Sequence, residues 1–437
     1  MKQNVVDWIG RLKGPHRRAV RAALRVAREQ GANLYLVGGT VRDMLLGRRP
    51  QDLDLMIEGD ARRFARAMAA LLKAQWRYEP RFLTASVILA EGVVDIARAR
   101  RETYARPGAL PQVSPAHSDD DLIRRDFSIN AMAVGLAGLD RGRLFGPYSV
   151  RGDVQARILR VLHERSFTDD PTRILRGIRL AARLGFSFDA ATRRLAVAAV
   201  CSGMVGRVSA DRIRQEIYLL LGEPDPAAAL SLAKRIGLTH AILPGLSSGG
   251  RLSDALARAR ECAHLVPERD RREVLLLCVL AFSAQPVEAA RCLGLSGSAL
   301  NAVRVMSKAR RSLARRLTRA RPSAVVRVLD ALPLQVVIAL ASAARSQRTR
   351  EQMVQYLKRW RLVKPKITGN DLLRLGFAEG AALGAALRAA RDAQLDGKAT
   401  TRKQQMLVAL ARLRGKMTGR VRSAPATGAV AINRLNG

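Results

Sequence analysis

Residues 35–57, YLVGGTVRDMLLGRRPQDLDLMI, set an apolar strand, a paired-glycine turn, a helix and a second apolar strand in one short run, which commits this part of the chain to an α/β layer. Side chains on a strand alternate faces, so Asp52 and Asp54 project together while Leu53 and Leu55 turn the other way. Two carboxylates side by side repel each other unless a cation lies between them, and magnesium held by oxygen ligands is the usual partner. Gly38 and Gly39 come first, after the apolar run at residues 34–37. A turn without side chains lets backbone N–H groups approach a phosphate closely. Singly, a glycine pair is an ordinary turn and Asp-x-Asp a solvated face. Strand, glycine pair, Arg42 and Asp-x-Asp in this order point to a metal–phosphate site.

At 437 residues the chain is too long for one compact core and calls for about two to four domains. The strand-like runs LYLV, DLDLMI, SVILA and GVVDIA, with a helix over residues 61–72, predict an α/β domain over 34–150. Within 1–33, Val20, Ala23, Leu24 and Ala27 recur at helical spacing and run straight into that domain, which favours an N-terminal amphipathic helix over an Arg-rich presequence. From Asp153 strand signals nearly vanish, and Ala, Leu and Arg recur at helical periods to about residue 415. Junction signals near 223–229, 243–254 and 320–324 divide this part, giving a helical segment over 151–245 and another over 246–415. The basic, weakly periodic stretch 416–437 is expected to be a mobile tail. The fold class is therefore α+β, an α/β head followed by helices.

Basic residues outnumber acidic ones 76 to 37, a net charge of +39, and such an excess favours a polyanion as partner. Part of it is concentrated in RVMSKARRSLARRLTRARPS, residues 304–323, where Arg315 and Arg316 are candidates for RNA contact. Few aromatics stand nearby, which favours recognition of backbone and shape over stacking on bases, with a plain solvated helix as the alternative. Cys201, Cys262, Cys278 and Cys292 have neither metal-site nor disulfide-framework spacing and are expected to be buried free thiols in a reducing compartment. No apolar run approaches the length of a membrane helix, and the N-terminus lacks a signal-peptide core, so no membrane partner and a cytoplasmic location are expected.

DLIRRDFSINAMAV, residues 121–134, and DDPTRILRGIRLAARLGF, residues 169–186, follow the glycine–Asp-x-Asp run. In order and spacing the chain resembles the class II tRNA nucleotidyltransferase and bacterial poly(A) polymerase family from about residue 34 to residue 245. ITGNDLLRLGFAEGAALGAAL, residues 367–387, is more loosely similar to the family's C-terminal helix-turn segment. The resemblance implies a DNA polymerase beta-like nucleotidyltransferase head over 34–150, a helical nucleotide-selecting neck over 151–245 and an elongated RNA-binding body and tail over 246–415. It implies magnesium-dependent, template-independent addition of C and/or A to the 3′ end of tRNA from CTP and ATP. Asp52 and Asp54 match the metal carboxylates; Asp95 is either a third or an ordinary strand-end residue. Gly39 and Arg42, beside Gly38 of the same turn, match triphosphate positions. Arg125 and Asp126 would line the nucleotide pocket, with Asp126 able to accept a ribose hydroxyl.

Arg173, Arg176, Arg179 and Arg183 share one helix face opposite Ile174, Leu175 and Ile178, a pattern that a solvated basic face also produces. The resemblance assigns Asp170 and Arg173 to the pairing edge of the incoming base and turns Arg176 and Arg179 toward triphosphate or primer. Asp170 could instead be only the cap of this helix. Arg212 and Glu216, four apart, suffice as a local pair supporting the pocket. In GPYSVRGD, Gly146 stands where the family usually has Asp and Val150 where it has Gly, which puts the full CCA sequence of additions in doubt. His240 and His264 are isolated and there is no His-Asp pair, so no metal-dependent phosphohydrolase activity is expected. The alternatives are poly(A) addition to generic RNA and a non-catalytic basic RNA-binding protein.

Overall fold

The computed structural model of the chain describes residues 9, 10, 12, 14–50, 52–90, 92–147 and 150–417. All but the first two residues of the tail expected over 416–437 lie outside the described residues. The chain divides between Gly249 and Gly250 into two compact units, and Cys292–Gly294 groups with the first.

The first unit begins with α1 (Gly14–Gln30), β1 (Asn33–Val37), α2 (Gly38–Leu45), β2 (Leu53–Glu58), α3 (Ala61–Leu72), β3 (Gln75–Glu79), β4 (Thr84–Leu89) and β5 (Gly92–Arg98). A hairpin of β6 (Arg100–Thr103) and β7 (Gln112–Pro115), then α4 (Ser118–Ile123), β8 (Ala133–Ala137) and β9 (Leu144–Phe145) complete the head. Its seven-stranded sheet has the order β3-β4-β5-β2-β1-β8-β9. β2 and β5 run parallel while β1 pairs antiparallel with both β2 and β8. Leu53, Leu55 and Ile57 are buried on one face of β2, as the alternation requires. α1 presents Val20, Ala23 and Ala27 to the core, and α3 presents Phe64, Ala65 and Met68. The Asp60 carboxylate caps α3 by accepting the N–H groups of Arg62 and Arg63, and Lys73 ends it in the left-handed conformation. Met56, pointing the other way, joins a smaller core with Tyr35, Val37, Leu122 and Ala133. That cluster props α4 against the sheet near the carboxylates.

The rest of this unit is helical: α5 (Val150–Ala156), a single turn at Ser166–Asp169, α6 (Thr172–Leu184), α7 (Ala190–Cys201), α8 (Ala210–Gly222) and α9 (Pro226–Arg235). A two-residue parallel pair, Ile158–Leu159 with Ser187–Phe188, is the strand content the helical periodicity hid. α6 packs on α8 and α9, and its Gly177 lies against the stacked rings of Phe127 and Phe188. A Cβ at 177 would stand 2.5 Å from Phe127 Cζ and 2.7 Å from Phe188 Cε1. Gly177→Ala is therefore expected to lower stability by about 1–3 kcal/mol through overpacking, read as a fall in the urea midpoint at unchanged slope.

Among its described residues the second unit is built of helices and their connections. Helices Gly250–Cys262, Arg271–Leu280 and Leu334–Ala343 pack together, and the apolar residues of Leu334–Ala343 are buried there. Helices Ala381–Leu395 and Arg402–Met417 close a further core of Ile367, Leu372, Ala386, Ala390 and Ala409. Thr368 and Asp371 form a reciprocal cap at the start of the loosely matched segment. Among the described residues no single helix is long and apolar enough to cross a membrane. All four cysteines are free thiols, but the expectation that they are buried fails: Cys278 alone is, Cys262 and Cys292 are half-buried and Cys201 is exposed. Spacing carries no information about which helix face a thiol occupies.

Candidate active site

The glycine turn is built for close approach. Gly38 adopts φ +63°, and its N–H donates to Met132 O. A side chain there would meet Arg125 Nη1 at 3.0 Å and Asp54 Oδ2 at 3.7 Å. Buried Thr40 ties the turn to β2, since its Oγ1 accepts the Asp54 N–H at 2.9 Å and donates to Asp52 O at 3.2 Å. That clamp sets the height of both carboxylates relative to the turn. Asp95 pairs in register with Asp54 across the parallel strands and accepts a 2.6 Å hydrogen bond from Ser86.

Burial pushes the Asp54 carboxyl up to about 6; Arg125 pulls it down, Asp95 and Asp52 push it further up and Arg42 pulls it down. Burial is the largest of these effects, and the neighbouring carboxylates add to it. Among the described residues no three His, Cys, Asp or Glu side chains form a ready-made cage. Magnesium is typically held by one or two carboxylates with substrate phosphates and water completing its shell, so this all-oxygen donor set beside a phosphate-sized turn fits a hard divalent cation.

Behind the turn the basic groups form a braced lattice. Arg42, 3% exposed, donates to Asp43 at 2.8 Å and to Asn130 Oδ1 at 2.6 Å. Asn130 Nδ2 in turn donates to Asp126, which also accepts the Phe127 N–H and faces Arg176 at 2.9 Å. Asp126 is buried and lines the cleft; both of its hydrogen bonds fall on Oδ1, while Oδ2 faces Arg176 and accepts no hydrogen bond. Arg179 reaches Glu223 at 3.4 Å and Glu216 at 3.7 Å.

At the start of α6, Arg173 is buried and donates to Ser166 Oγ at 2.9 Å, Arg124 O at 2.7 Å and Arg125 O at 3.3 Å. Asp170 Oδ1 accepts from Thr172 N at 3.1 Å, Thr172 Oγ1 at 2.7 Å and Arg212 Nη2 at 2.9 Å. The reading of Arg212 as the local partner of Glu216 is overturned. Arg212 crosses from α8 to Asp170 and to Gly108 O at 3.0 Å, because a carboxylate and a carbonyl on facing elements satisfy its fork better than a neighbour one turn away.

These groups line one cleft of roughly 800 Å³. Gly38, Gly39 and Arg42 at α2, Asp52 and Asp54 at β2 and Asp95 on β5 border it, together with Arg125 and Asp126 just after α4, Asp170 just before α6, and Arg173, Arg176 and Arg179 on α6. Arg315 and Arg316 are elsewhere, exposed on helix Gly297–Leu317 of the second unit. Sequence reasoning missed Thr40, Asp121 and the cross-element role of Arg212. Thr40 follows the glycine pair directly and is the one with a positional signal.

Residues 34–160 match the family described as "Poly A polymerase head domain", and residues 185–249 match "Probable RNA and SrmB- binding site of polymerase A". The chain is 40% identical over 262 residues to the A-adding tRNA nucleotidyltransferase of Halalkalibacterium halodurans, covering 59% of this chain and 61% of that protein. It is 32% identical over 427 residues to the A-adding tRNA nucleotidyltransferase of Geobacter sulfurreducens, covering 94% of this chain and 48% of that one. The chain thus spans about half to three-fifths of the length of these curated relatives. The Thermotoga maritima CCA-adding enzyme complexed with tRNA superposes with a TM-score of 0.75 at 27% identity, over 94% of this chain and 99% of that one. Motif order, cleft geometry and these matches agree: residues 34–160 match a poly A polymerase head domain, residues 185–249 its probable RNA-binding segment, and the chain is similar to tRNA nucleotidyltransferases.

Proposed function

We propose that this protein adds nucleotides from CTP, ATP or both to the 3′ end of tRNA without a nucleic-acid template, releasing pyrophosphate. The observation that carries the proposal is one cleft lined both by the Asp52–Asp54 pair with the glycine turn and by Asp170 with Arg173. The turn's N–H groups beyond that of Gly38, which donates to Met132 O, bind the triphosphate with Arg42 and Arg125. Asp52 and Asp54, joined by Asp95, hold magnesium, which when bound neutralises charge at the α-phosphate and acidifies the attacking hydroxyl. The primer 3′ oxygen bonds to the α-phosphorus as the bond to the bridging oxygen breaks, and pyrophosphate leaves. Asp170 and Arg173 stand in for a template by meeting the base edge, and Arg176 and Arg179 steady the triphosphate or primer. Residues 34–150 then act as the catalytic head, 151–245 as the selecting neck and 246–415 as the RNA-binding body. A cytoplasmic location belongs to the same proposal, since tRNA ends are used there.

RNA binding rests on charge. Arg304, Lys308, Arg311 and Arg315 are exposed at spacings of three and four along helix Gly297–Leu317, and no acidic residue stands between 297 and 321. We expect tRNA affinity to fall steeply with salt. Neutralising Arg315 and Arg316 should weaken it with little change in NTP choice and flatten the log–log salt slope by about one for each phosphate left unneutralised. A salt-independent Kd would defeat this reading.

The deciding experiment supplies CTP and ATP separately to tRNAs ending before the first C, after the first C and after the second C, and sequences the ends. A defined short addition supports the proposal. Long A tracts on generic RNA would favour the poly(A)-adding reading that the name of the head family suggests. RNA binding without pyrophosphate release from any NTP would leave a non-catalytic RNA-binding protein.

A further inference from the structure

SDDDLIRRD, residues 118–126, carries three consecutive aspartates of which the third is fully buried: Asp121 is 0% exposed and lies outside the cleft lining. Its two oxygens are divided between two arginines. Oδ1 accepts from Arg124 Nε at 3.0 Å and Nη2 at 2.6 Å, and from the Arg100 N–H at 3.3 Å. Oδ2 accepts from Arg125 Nε at 3.1 Å and Nη2 at 2.8 Å. Each guanidinium is thus held by one edge, and its remaining Nη1 is aimed elsewhere. For Arg124 that group meets Glu102 at 2.6 Å. For Arg125 it lies 3.3 Å from Asn130 O and 3.0 Å from the point a Gly38 side chain would occupy. Burial works against the charge of Asp121, and Arg125 and Arg124 more than offset it, holding the carboxyl below the usual carboxylate range.

We propose that Asp121 is a positioning residue for the triphosphate: it fixes the Nη1 edge of Arg125 against the Gly38–Gly39 turn, so that this donor is in place before a nucleotide arrives. The inference rests on the nucleotidyl-transfer reading and deepens it. A buried carboxylate shared between two guanidiniums removes their rotamer freedom in advance, which is where preorganised sites gain affinity. Asp121 lies outside the cleft lining and reaches the triphosphate through Arg125, while the Nη1 of its other partner, Arg124, is taken up by Glu102, so base choice should not change with it.

The test is a double-mutant cycle of Asp121→Asn with Arg125→Ala, below the melting temperature of each variant. KM and kcat for ATP and CTP addition are measured beside equilibrium binding of ATP and of pyrophosphate with magnesium. Asp121→Asn alone should raise KM for ATP and CTP together by roughly tenfold and weaken pyrophosphate binding in parallel, with the ATP-to-CTP ratio unchanged. In the Arg125→Ala background it should add nothing. Equal losses in both backgrounds, an unchanged KM, or a shifted ATP-to-CTP ratio would each overturn the inference. Failure of both Asp121→Asn and Asp121→Ser to fold would make Asp121 a folding residue and overturn it too. A wild-type protein that releases no pyrophosphate from any NTP defeats the transferase reading instead, and ATP binding in the same cycle still decides the role of Asp121.

Discussion

Replacing Asp52 or Asp54 with Ala is expected to lower nucleotide addition by about a thousandfold or more, because each change removes charge from the pair proposed to hold magnesium at the reacting phosphate. The fold should survive. Asp52 is exposed, and the apolar face of β2 that anchors the sheet, Leu53, Leu55 and Ile57, is untouched. Asp54 makes the sharper case. Its proton affinity in the folded chain is raised, to about 6, so without a metal the folded state loses stability relative to the unfolded one as pH rises from about 4 through about 6. At pH 7 the metal-free Asp54→Asn variant should therefore melt no lower than wild type, while the stabilisation that magnesium and NTP together confer on wild type should be absent. Tm with and without magnesium and NTP, beside single-turnover rates, checks both halves. Near-wild-type turnover at saturating magnesium would remove these residues from the mechanism.

The site carboxylates were legible for a local reason. Asp52 and Asp54 are read from alternation on a strand whose other face is apolar, and the glycine turn stands a few residues upstream. The same local logic located β1, β2, β4, β5 and α3. It could not find β3, QWRYE, which buries neither face fully, nor β9, which is two residues long. Arg212 and Asp121 were hidden differently. A Glu one turn away gave Arg212 a sufficient partner in sequence, and the run DDD around Asp121 has the appearance of a solvated helix start. Their true partners, Asp170 and Arg125 with Arg124, depend on which way each helix face turns in the packed unit. Gly146 shows how packing can explain a departure from the family pattern: a Cβ there would stand 2.3 Å from Ala131 O, so this backbone has no room for the usual Asp. Val150, nearby, is buried.

Base selection is where the geometry makes the second large prediction. All three hydrogen bonds of the Asp170 carboxylate fall on Oδ1, two from Thr172 and one from Arg212, which leaves Oδ2 for the incoming base. On the proposed reading, capping and selection are jobs of different atoms on one side chain. Asp170→Ala removes both, so it should lower stability by about 1 kcal/mol and cost roughly 1–3 kcal/mol of NTP selectivity, about 10- to 100-fold. Asp170→Asn separates them. Asn caps a helix as well as Asp does, and the three donors facing Oδ1 oblige the amide to turn its oxygen toward them. The Nδ2 group then replaces Oδ2, and an acceptor becomes a donor. An acceptor suits the exocyclic amino groups that cytosine and adenine share, whereas a donor suits the carbonyls of uracil and guanine. Stability should stay within a few tenths of a kcal/mol of wild type. CTP and ATP incorporation should fall relative to UTP and GTP. Incorporation of each NTP measured beside a melting curve decides the matter: unchanged NTP ratios in a well-folded Asp170→Asn variant would leave Asp170 as a helix cap and nothing more.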